Sequence, residues 1–192
     1  MKKSLFVLLC AVMCGCCSVQ GADFTEKLLF YVPNRIVDAL DCFSLNLGVG
    51  LGVRAELQGT RAVTVGGGIQ DNVFTLYKDY NRQYGGGIQS GWYWSLIAGE
   101  EDMRRDPVFG WVRPYWDSFG WVDGDFSAGI PSPEGRSYDP IDGARDYWQI
   151  GGALGGLIFG EVYLHPIEGF DFVLGFFLID FKNDDLTIAD FQ

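Results

Sequence analysis

The strongest constraint in this chain is a strict alternation of residue types that begins at Leu45. Apolar residues stand at every second position, and polar residues or glycine fill the positions between them. The apolar positions are Leu45, Leu47, Val49, Leu51, Val53, Ala55 and Leu57. Because successive side chains of a strand point to opposite faces, the run from 44 to 58 predicts a β-strand with one apolar face. The apolar face is expected to be buried, so we predict Val49 and Leu51 in the core and Gln58 outside it.

Further strands are predicted after a tight turn at Gly59-Thr60. Residues 61–77 return along the first strand, and a third strand follows that runs from Tyr84 to Leu96. The second and third strands share a Gly-Gly-Gly-Ile-Gln segment, at 66–70 and again at 85–89. A fourth, long strand is predicted from about 146 to 164. With 27 glycines in 192 residues, we expect a coiled sheet with a neighbour packed against its glycines.

Two helices are expected to flank these strands. Pro33 suits a first helical turn, and the apolar residues Ile36, Val37, Leu40 and Phe43 then share one face, which leaves Arg35, Asp38 and Asp41 to water. Near the end of the chain, the segment 166–180 carries apolar residues at helical spacing. They are Phe170, Val173, Leu174, Phe177 and Phe181.

These elements predict an α+β fold, a Gly-rich antiparallel β-meander with a helix before it and an apolar helix after it. The alternative is a small all-β barrel, because roughly 170 residues after a signal suffice for eight strands. Only four long strands are convincing, however, and four strands do not close such a barrel. The first interpretation is therefore preferred.

The N-terminus has the pattern of an export signal. Lys2 and Lys3 precede a short apolar run that extends to Met13. In Met13-Cys14-Gly15-Cys16, a small residue precedes a cysteine just after this run, as in a bacterial lipobox, which predicts acylation of Cys16. The alternative is ordinary cleavage near Ala22. Residues 1–22 are thus assigned as the signal and residues 23–192 as a single envelope domain.

An aromatic and Pro-rich insertion is predicted between the third and fourth strands, at about 99–146. It contains the pair Phe-Gly-Trp-Val, at 109–112 and again at 119–122. We predict that Trp111 and Trp121 pack over the sheet as the two arms of a hairpin. Trp116, near the hairpin tip, is the one candidate for a ligand contact.

Charge and residue types exclude several functions. The chain has 14 basic and 25 acidic residues, so the body of the protein repels phosphate backbones, and no nucleic-acid partner is expected. With one histidine, His165, no histidine cluster for a metal can form in one chain, and no metal or other cofactor is expected. A Ser-His-Asp site would have to use His165, but no motif surrounds it, and a turn or capping contact is the preferred interpretation. Cys42 is interpreted as a small buried apolar residue.

Acidic groups elsewhere are interpreted as solvated turns rather than as calcium sites. They are Asp123 with Asp125, Asp139 with Asp142 and Asp146, and Asp180 with Asp184 and Asp185. None of them has the loop pattern of a dedicated calcium site.

Several of these segments together resemble a group of uncharacterised bacterial cell-envelope lipoproteins. They are Asp38-Ala39-Leu40-Asp41, the run from Leu47 to Gly52, Thr60, His165-Pro166 and the terminal apolar element that ends in Asp180. The resemblance covers about 30 residues and a short C-terminal stretch. It implies export and tethering at the outer membrane or in the periplasm, and it implies no activity.

Three functions follow from the sequence. The first is a noncatalytic cell-envelope protein with a lipid anchor such as palmitate, whose protein or glycan partner is unknown. The second is a small outer-membrane β-barrel protein. The third is a secreted carbohydrate-binding or carbohydrate-cleaving protein, which only the aromatic and acidic residues support.

Overall fold

A computed structural model describes residues 28–111, 129–139, 143–179 and 182. Within these residues, two helices flank six strands. The elements in chain order are α1 (Tyr31–Asp41), β1 (Phe43–Thr60), β2 (Val63–Lys78), β3 (Tyr84–Leu96), β4 (Ala98–Trp111), β5 (Ile150–Gly155), β6 (Ile158–Leu164) and α2 (Pro166–Gly175). The predicted meander of antiparallel strands between two helices is therefore confirmed.

All six strands belong to one antiparallel sheet with the order β4-β3-β2-β1-β5-β6. Among the described strands, β4 alone has a single strand as its neighbour, apart from one bridge between Gly99 and Gly129. The described strands form an open sheet, because no strand pairing joins β4 to β5 or β6. They therefore do not form the small closed barrel that the sequence left as an alternative.

The first strand curves around the hairpin that β5 and β6 make with each other. β6 pairs along the first half of β1, where Phe43 lies opposite Leu164. β5 pairs along the second half, where Gln58 lies opposite Gly151. Because β5 and β6 also pair with each other, the two ends of β1 are drawn together. The bend lies at Gly50, whose N–H donates to the Leu157 carbonyl over 3.1 Å.

Glycines on the inner face of the bend make room for one aromatic ring. Phe159 is 2 % exposed and lies opposite Gly48 on β1 and Gly155 on β5. A Cβ added at Gly155 would overlap the Phe159 ring, and one added at Gly48 would lie 2.9 Å from Val73 Cγ1. The ring packed against Gly48 and Gly155 thus belongs to a strand of the same sheet, rather than to a separate neighbour as expected.

The two faces of β1 are the reverse of the prediction. The alternation itself is present, but Val49 is 65 % exposed and Leu51 is 64 % exposed, whereas Gln58 is buried. The buried positions of β1 carry polar side chains, which are Ser44, Asn46, Arg54, Glu56 and Gln58. The prediction that Val49 and Leu51 lie in the core is wrong, because the inner face of this sheet is filled by polar groups that pair with one another.

The helices show the same reversal. In α1, Asp38 and Asp41 are buried, while Ile36 and Leu40 are exposed. In α2, the buried positions are Glu168, Asp171 and Gly175, and large apolar side chains point outward. The prediction that Asp38 and Asp41 face water is thus also wrong. No helix in the described part of the chain combines the length and the apolarity needed to span a membrane.

Two predicted segments differ in detail. The long fourth strand is divided into β5 and β6 by a turn at Gly156 and Leu157. The first part of the predicted insertion is strand β4, which ends at Trp111. Trp111 lies opposite Tyr84 on β3 and is 47 % exposed, so it lies on the outer face of the sheet rather than in the core.

Candidate functional site

Charged side chains of both signs fill the inner face of the sheet. We call them the inner cluster, and each is less than about one-tenth exposed in its side chain or as a residue. Its members are Arg54, Glu56, Arg61, Asp79, Glu101, Arg105, Arg145 and Glu161. A buried charge is tolerated only with partners, and the members of the inner cluster are arranged as ion pairs.

Arg54 is the centre of the first group in the inner cluster. Its guanidinium forms a short ion pair with Glu161 on β6 and another with Glu56, two residues along β1, over 3.3 Å. Its Nε donates to the Tyr93 hydroxyl over 3.2 Å, and the Tyr93 ring lies under the guanidinium at 5.0 Å. The Tyr163 hydroxyl donates to Glu56 over 2.7 Å, so strands β1, β3 and β6 are tied together here.

The bend of β1 brings a second residue to the same carboxylate. Asn46 Nδ2 donates to Glu161 Oε2 over 3.2 Å, although Asn46 and Arg54 are eight residues apart on β1. In a straight strand this separation would be about 26 Å. Both reach Glu161 only because β1 is folded around the β5–β6 hairpin.

Glu101 is the centre of the second group. Arg145 reaches both of its carboxylate oxygens, with distances of 2.7 and 2.5 Å, and Arg61 reaches Oε2 over 2.9 Å. Arg61 lies in the turn between β1 and β2, Glu101 on β4, and Arg145 in the segment before β5. This group therefore joins the open edge of the sheet to the loop that precedes β5.

Asp79 is the centre of the third group. It forms a short ion pair with Arg105 on β4 and accepts a hydrogen bond from Asn46 Nδ2 over 2.7 Å. The Arg105 guanidinium stacks on the Tyr77 ring at 4.2 Å. Asn46 donates to Glu161 as well, so the first and third groups form one network.

The pKa values of this network follow from burial and pairing. Burial by itself would raise the pKa of the Glu56 carboxyl, but Arg54 and Arg61 outweigh it, and the pKa is lowered. Burial would likewise raise the pKa of Glu101, and Arg145 and Arg61 reverse the shift, so that this pKa is also lowered. Both carboxylates are therefore held ionised by the arginines around them.

A small cavity of about 50 Å³ lies inside the inner cluster. Charged walls come from Arg54, Arg61, Arg145 and Glu161, and Ser44 also borders it. A volume of this size holds roughly three or four water molecules. The cavity is therefore a small polar chamber rather than a pocket for a large ligand.

Beside this chamber, three side chains from distant parts of the sequence are connected by consecutive hydrogen bonds. Ser44 Oγ lies 2.7 Å from His165 Nε2, and His165 Nδ1 lies 2.9 Å from Asp146 Oδ2. All three residues are less than 5 % exposed. The other oxygen of Asp146 accepts the Trp148 backbone N–H over 2.8 Å, which fixes the carboxylate.

His165 is held independently of these contacts. Its backbone N–H donates to the Cys42 carbonyl over 2.8 Å, and its carbonyl accepts the Gly169 N–H over 3.0 Å. The Tyr80 ring packs on the imidazole with the centroids 5.1 Å apart. The turn-and-cap role expected of His165 is present in its backbone, but its side chain also joins Ser44 to Asp146.

The site residues named from the sequence meet different outcomes. Cys16, Trp116 and Trp121 lie outside the described residues, so their assigned roles remain predictions. Cys42 is half-buried and its Sγ lies 3.2 Å from the Asp38 carbonyl. Burial raises the pKa of the Cys42 thiol, and nearby Glu168 and Asp38 add to the shift, which agrees with an inert thiol.

Of the acidic residues predicted to lie in solvated turns, Asp139 and Asp146 are described by the structure, and the others lie outside the described residues. Asp146 is buried against His165 rather than solvated, so this part of the prediction is wrong. Asp139, from the same sequence group, is exposed. Over the ranges that the structure describes, no three histidine, cysteine or acidic residues lie close enough to hold a metal ion.

Sequence reasoning missed the inner cluster, although one signal for it was present. Arg54, Glu56 and Gln58 share the parity of Asn46 on β1, so one face carries both signs of charge. Paired opposite charges on alternate positions suit a buried polar face as well as a solvated one. No local signal links Ser44 to Asp146 and His165, because more than one hundred residues separate them.

No protein-family model, no curated protein and no solved structure matches this chain.

Proposed function

We propose that this chain is a bacterial cell-envelope protein whose strands themselves lie in a membrane, with the apolar face of the sheet against lipid. The observation that carries the proposal is the reversed burial of β1, where apolar side chains point outward and charged ones inward. Alternation of this kind, apolar toward lipid and polar toward the interior, is typical of membrane-embedded strands.

The outward apolar residues form continuous rows across the sheet. One row runs from Ile158 on β6 through Val49 and Phe74 to Ile88 on β3, and each residue is a register partner of the next. All four side chains are exposed. A second row joins Val53, Ile69 and Trp92, which are exposed as well. Water-soluble monomers rarely expose apolar surfaces that extend in this way.

The two helices extend the same surface. α1 and α2 pack together and leave an open apolar groove of about 520 Å³ between them. The groove is lined by Val32, Ile36, Leu40, Phe43, Phe172 and Phe176, among others. Phe43 is also the first residue of β1, so the groove is continuous with the outer face of the sheet.

The edge strand limits how the sheet sits in the membrane. Backbone groups in hydrocarbon need hydrogen-bond partners, and an unpaired sheet edge is costly there. The exposed side chains of β4 include Asp102, Arg104 and Asp106. Transfer of these charged groups into hydrocarbon is unfavourable. We therefore propose that residues 102–106 of β4 lie at the polar surface of the membrane or against protein.

The tryptophans provide a direct test. Trp92 and Trp94 lie on the outer face of β3, so reconstitution in vesicles that contain phospholipid brominated in the acyl chains should quench their fluorescence. Aqueous iodide should quench it weakly. The double variant Trp92→Phe/Trp94→Phe should lose a corresponding share of the lipid quenching. Strong quenching by iodide with none by brominated lipid would contradict insertion.

The lipid anchor predicted at Cys16 is tested separately. A fatty-acid analogue fed to expressing cells should label the wild type and the matched control Cys14→Ala, and it should not label Cys16→Ala. If the strands lie in the membrane, Cys16→Ala remains in the membrane pellet after an alkaline carbonate wash. Release of this variant into the supernatant would mean that the protein is tethered by lipid alone.

A further inference from the structure

We propose that Ser44 is a nucleophile that His165 activates and Asp146 orients, and that it accepts a short acyl group from an ester. This inference concerns the interior of the sheet and is independent of membrane insertion. It differs from the noncatalytic function expected from the sequence, which rested on the N-terminal cysteines and on the absence of a recognisable catalytic constellation. The structure places the Ser44 hydroxyl 2.7 Å from the His165 Nε2 atom.

The two contacts of His165 fit a neutral imidazole that carries its proton on Nδ1. An ionised carboxylate accepts hydrogen bonds and donates none, so in this tautomer the Nδ1–H donates to Asp146. Nε2 is then an acceptor, and the Ser44 hydroxyl donates to it. This is the arrangement in which a histidine serves as general base toward a serine.

The position of each group relative to the chamber fits these roles. Ser44 borders the chamber, whereas His165 and Asp146 are not among its lining residues. Of the three residues, the serine is therefore the one that borders the chamber, and His165 and Asp146 lie outside its lining. A purely structural hydrogen-bond chain does not need one end at a cavity.

The size and polarity of the chamber indicate the substrate class. Its volume of about 50 Å³ accommodates an acetyl-sized group but no long acyl chain. The guanidinium groups of Arg54 and Arg61 on its walls are hydrogen-bond donors, which suit the oxygen of an acyl carbonyl. We therefore assign the site to short-chain esters, with the alcohol portion as the leaving group.

The reaction balances with water as the second substrate. Ser44 Oγ attacks the ester carbonyl while its proton passes to His165 Nε2, and collapse of the tetrahedral adduct breaks the bond to the alcohol, which takes that proton. Water then attacks the acyl-serine with His165 again as base. The acid leaves, and the proton returns to Ser44 Oγ.

The test uses the full-length protein in vesicles and two small probes. Methanesulfonyl fluoride should sulfonylate Ser44, and 4-nitrophenyl acetate should acetylate it, with both adducts located by peptide mass mapping. The octanoyl ester should react far more slowly. Urea-unfolded protein should not be labelled at Ser44, which ties reactivity to the folded site without any substitution.

Variants separate an activated serine from a merely buried one. Ser44→Ala should abolish the adduct, and His165→Gln should lower the labelling rate by about 100-fold or more. The matched control Ser95→Ala, which removes a buried hydroxyl bonded to the Thr64 carbonyl, should leave labelling unchanged. Absence of any adduct at Ser44 in folded wild type, or equal labelling in folded His165→Gln, would overturn the proposal.

Discussion

The inner and outer faces of β1 have opposite chemistry although they belong to the same strand. Outward residues such as Val49 and Leu51 are apolar and exposed. Inward residues such as Arg54 and Glu56 are charged, buried and paired. Because both faces derive from one alternating sequence, the comparison shows that periodicity determines which side chains share a face. It does not determine which face meets water.

The largest expected effect comes from breaking the inner face. Arg54→Ala leaves Glu161 and Glu56 buried without their guanidinium, and removing one partner of a buried pair costs about 3 to 5 kcal/mol. Urea unfolding in detergent or vesicles measures this loss. The control is Arg104→Ala, because Arg104 pairs with Asp106 on the exposed surface, and such pairs contribute about 1 kcal/mol or less. Equal losses in the two variants would contradict the buried network.

A charge on the outer face should have the next largest effect, and only in a bilayer. Leu51→Arg puts a cation against lipid, which costs about 2 to 4 kcal/mol at the bilayer midplane. Leu51→Ile keeps the apolar surface and should cost far less. Unfolding midpoints of both variants in vesicles check this. An unchanged midpoint for Leu51→Arg would show that the outer face meets water.

A methyl group at the bend should have a smaller effect. Gly155→Ala adds a Cβ that overlaps the Phe159 ring, and overpacking of this kind costs about 1 to 3 kcal/mol. The adjacent Gly156→Ala is a matched control, because a Cβ there meets nothing within 4 Å. If both variants unfold at the same urea concentration, the ring is not packed against Gly155. Partial recovery in Gly155→Ala/Phe159→Leu would identify the ring as the cause.

The smallest expected effect is that of acidification. Lowering the pH should gradually reduce the free energy of unfolding that the inner cluster contributes, with little change near neutral pH. The pKa values of Glu56 and Glu101 are lowered in the folded state, so the stability they contribute is complete above the unfolded value of about 4.3. It is lost as the pH falls through their lower folded pKa values. Urea midpoints between about pH 3 and 6 measure this loss.

Two variants localise the acid sensitivity. Glu101→Gln should flatten the pH dependence because it removes a carboxyl whose pKa is lowered in the folded state. Glu134→Gln, at an exposed position, should leave the slope as in wild type. A slope that is unaffected by Glu101→Gln would assign the acid sensitivity to other carboxyls.

The alternation and turn signals were sufficient to predict most of the fold. The predicted first strand at 44–58 corresponds to β1, Phe43–Thr60, and the two flanking helices are present. The orientation was predicted incorrectly, since burial of apolar residues was assumed from the behaviour of proteins in water. In α1, Ile36 and Leu40 do share a face, but it is the exposed one.

The candidate site could not be predicted in the same way. In the sequence, Arg54 is only one of several polar residues in an alternating run. Its partner Glu161 belongs to a strand more than one hundred residues later. His165 was identified as the only histidine, yet the local sequence contains nothing that points to Ser44. Long-range strand pairing brings these groups together, and local periodicity carries no information about it.

The curvature of β1 also has a consequence for how the chain is made. β1 pairs early with β2, its neighbour in sequence, but its other edge pairs with β5 and β6. A chain emerging from the ribosome therefore carries Arg54 for a long interval before Glu161 follows. Contacts so distant in sequence form late and slowly. During this interval the chain exposes charges that lack their folded-state partners and one unpaired edge of β1, and such exposed edges favour aggregation.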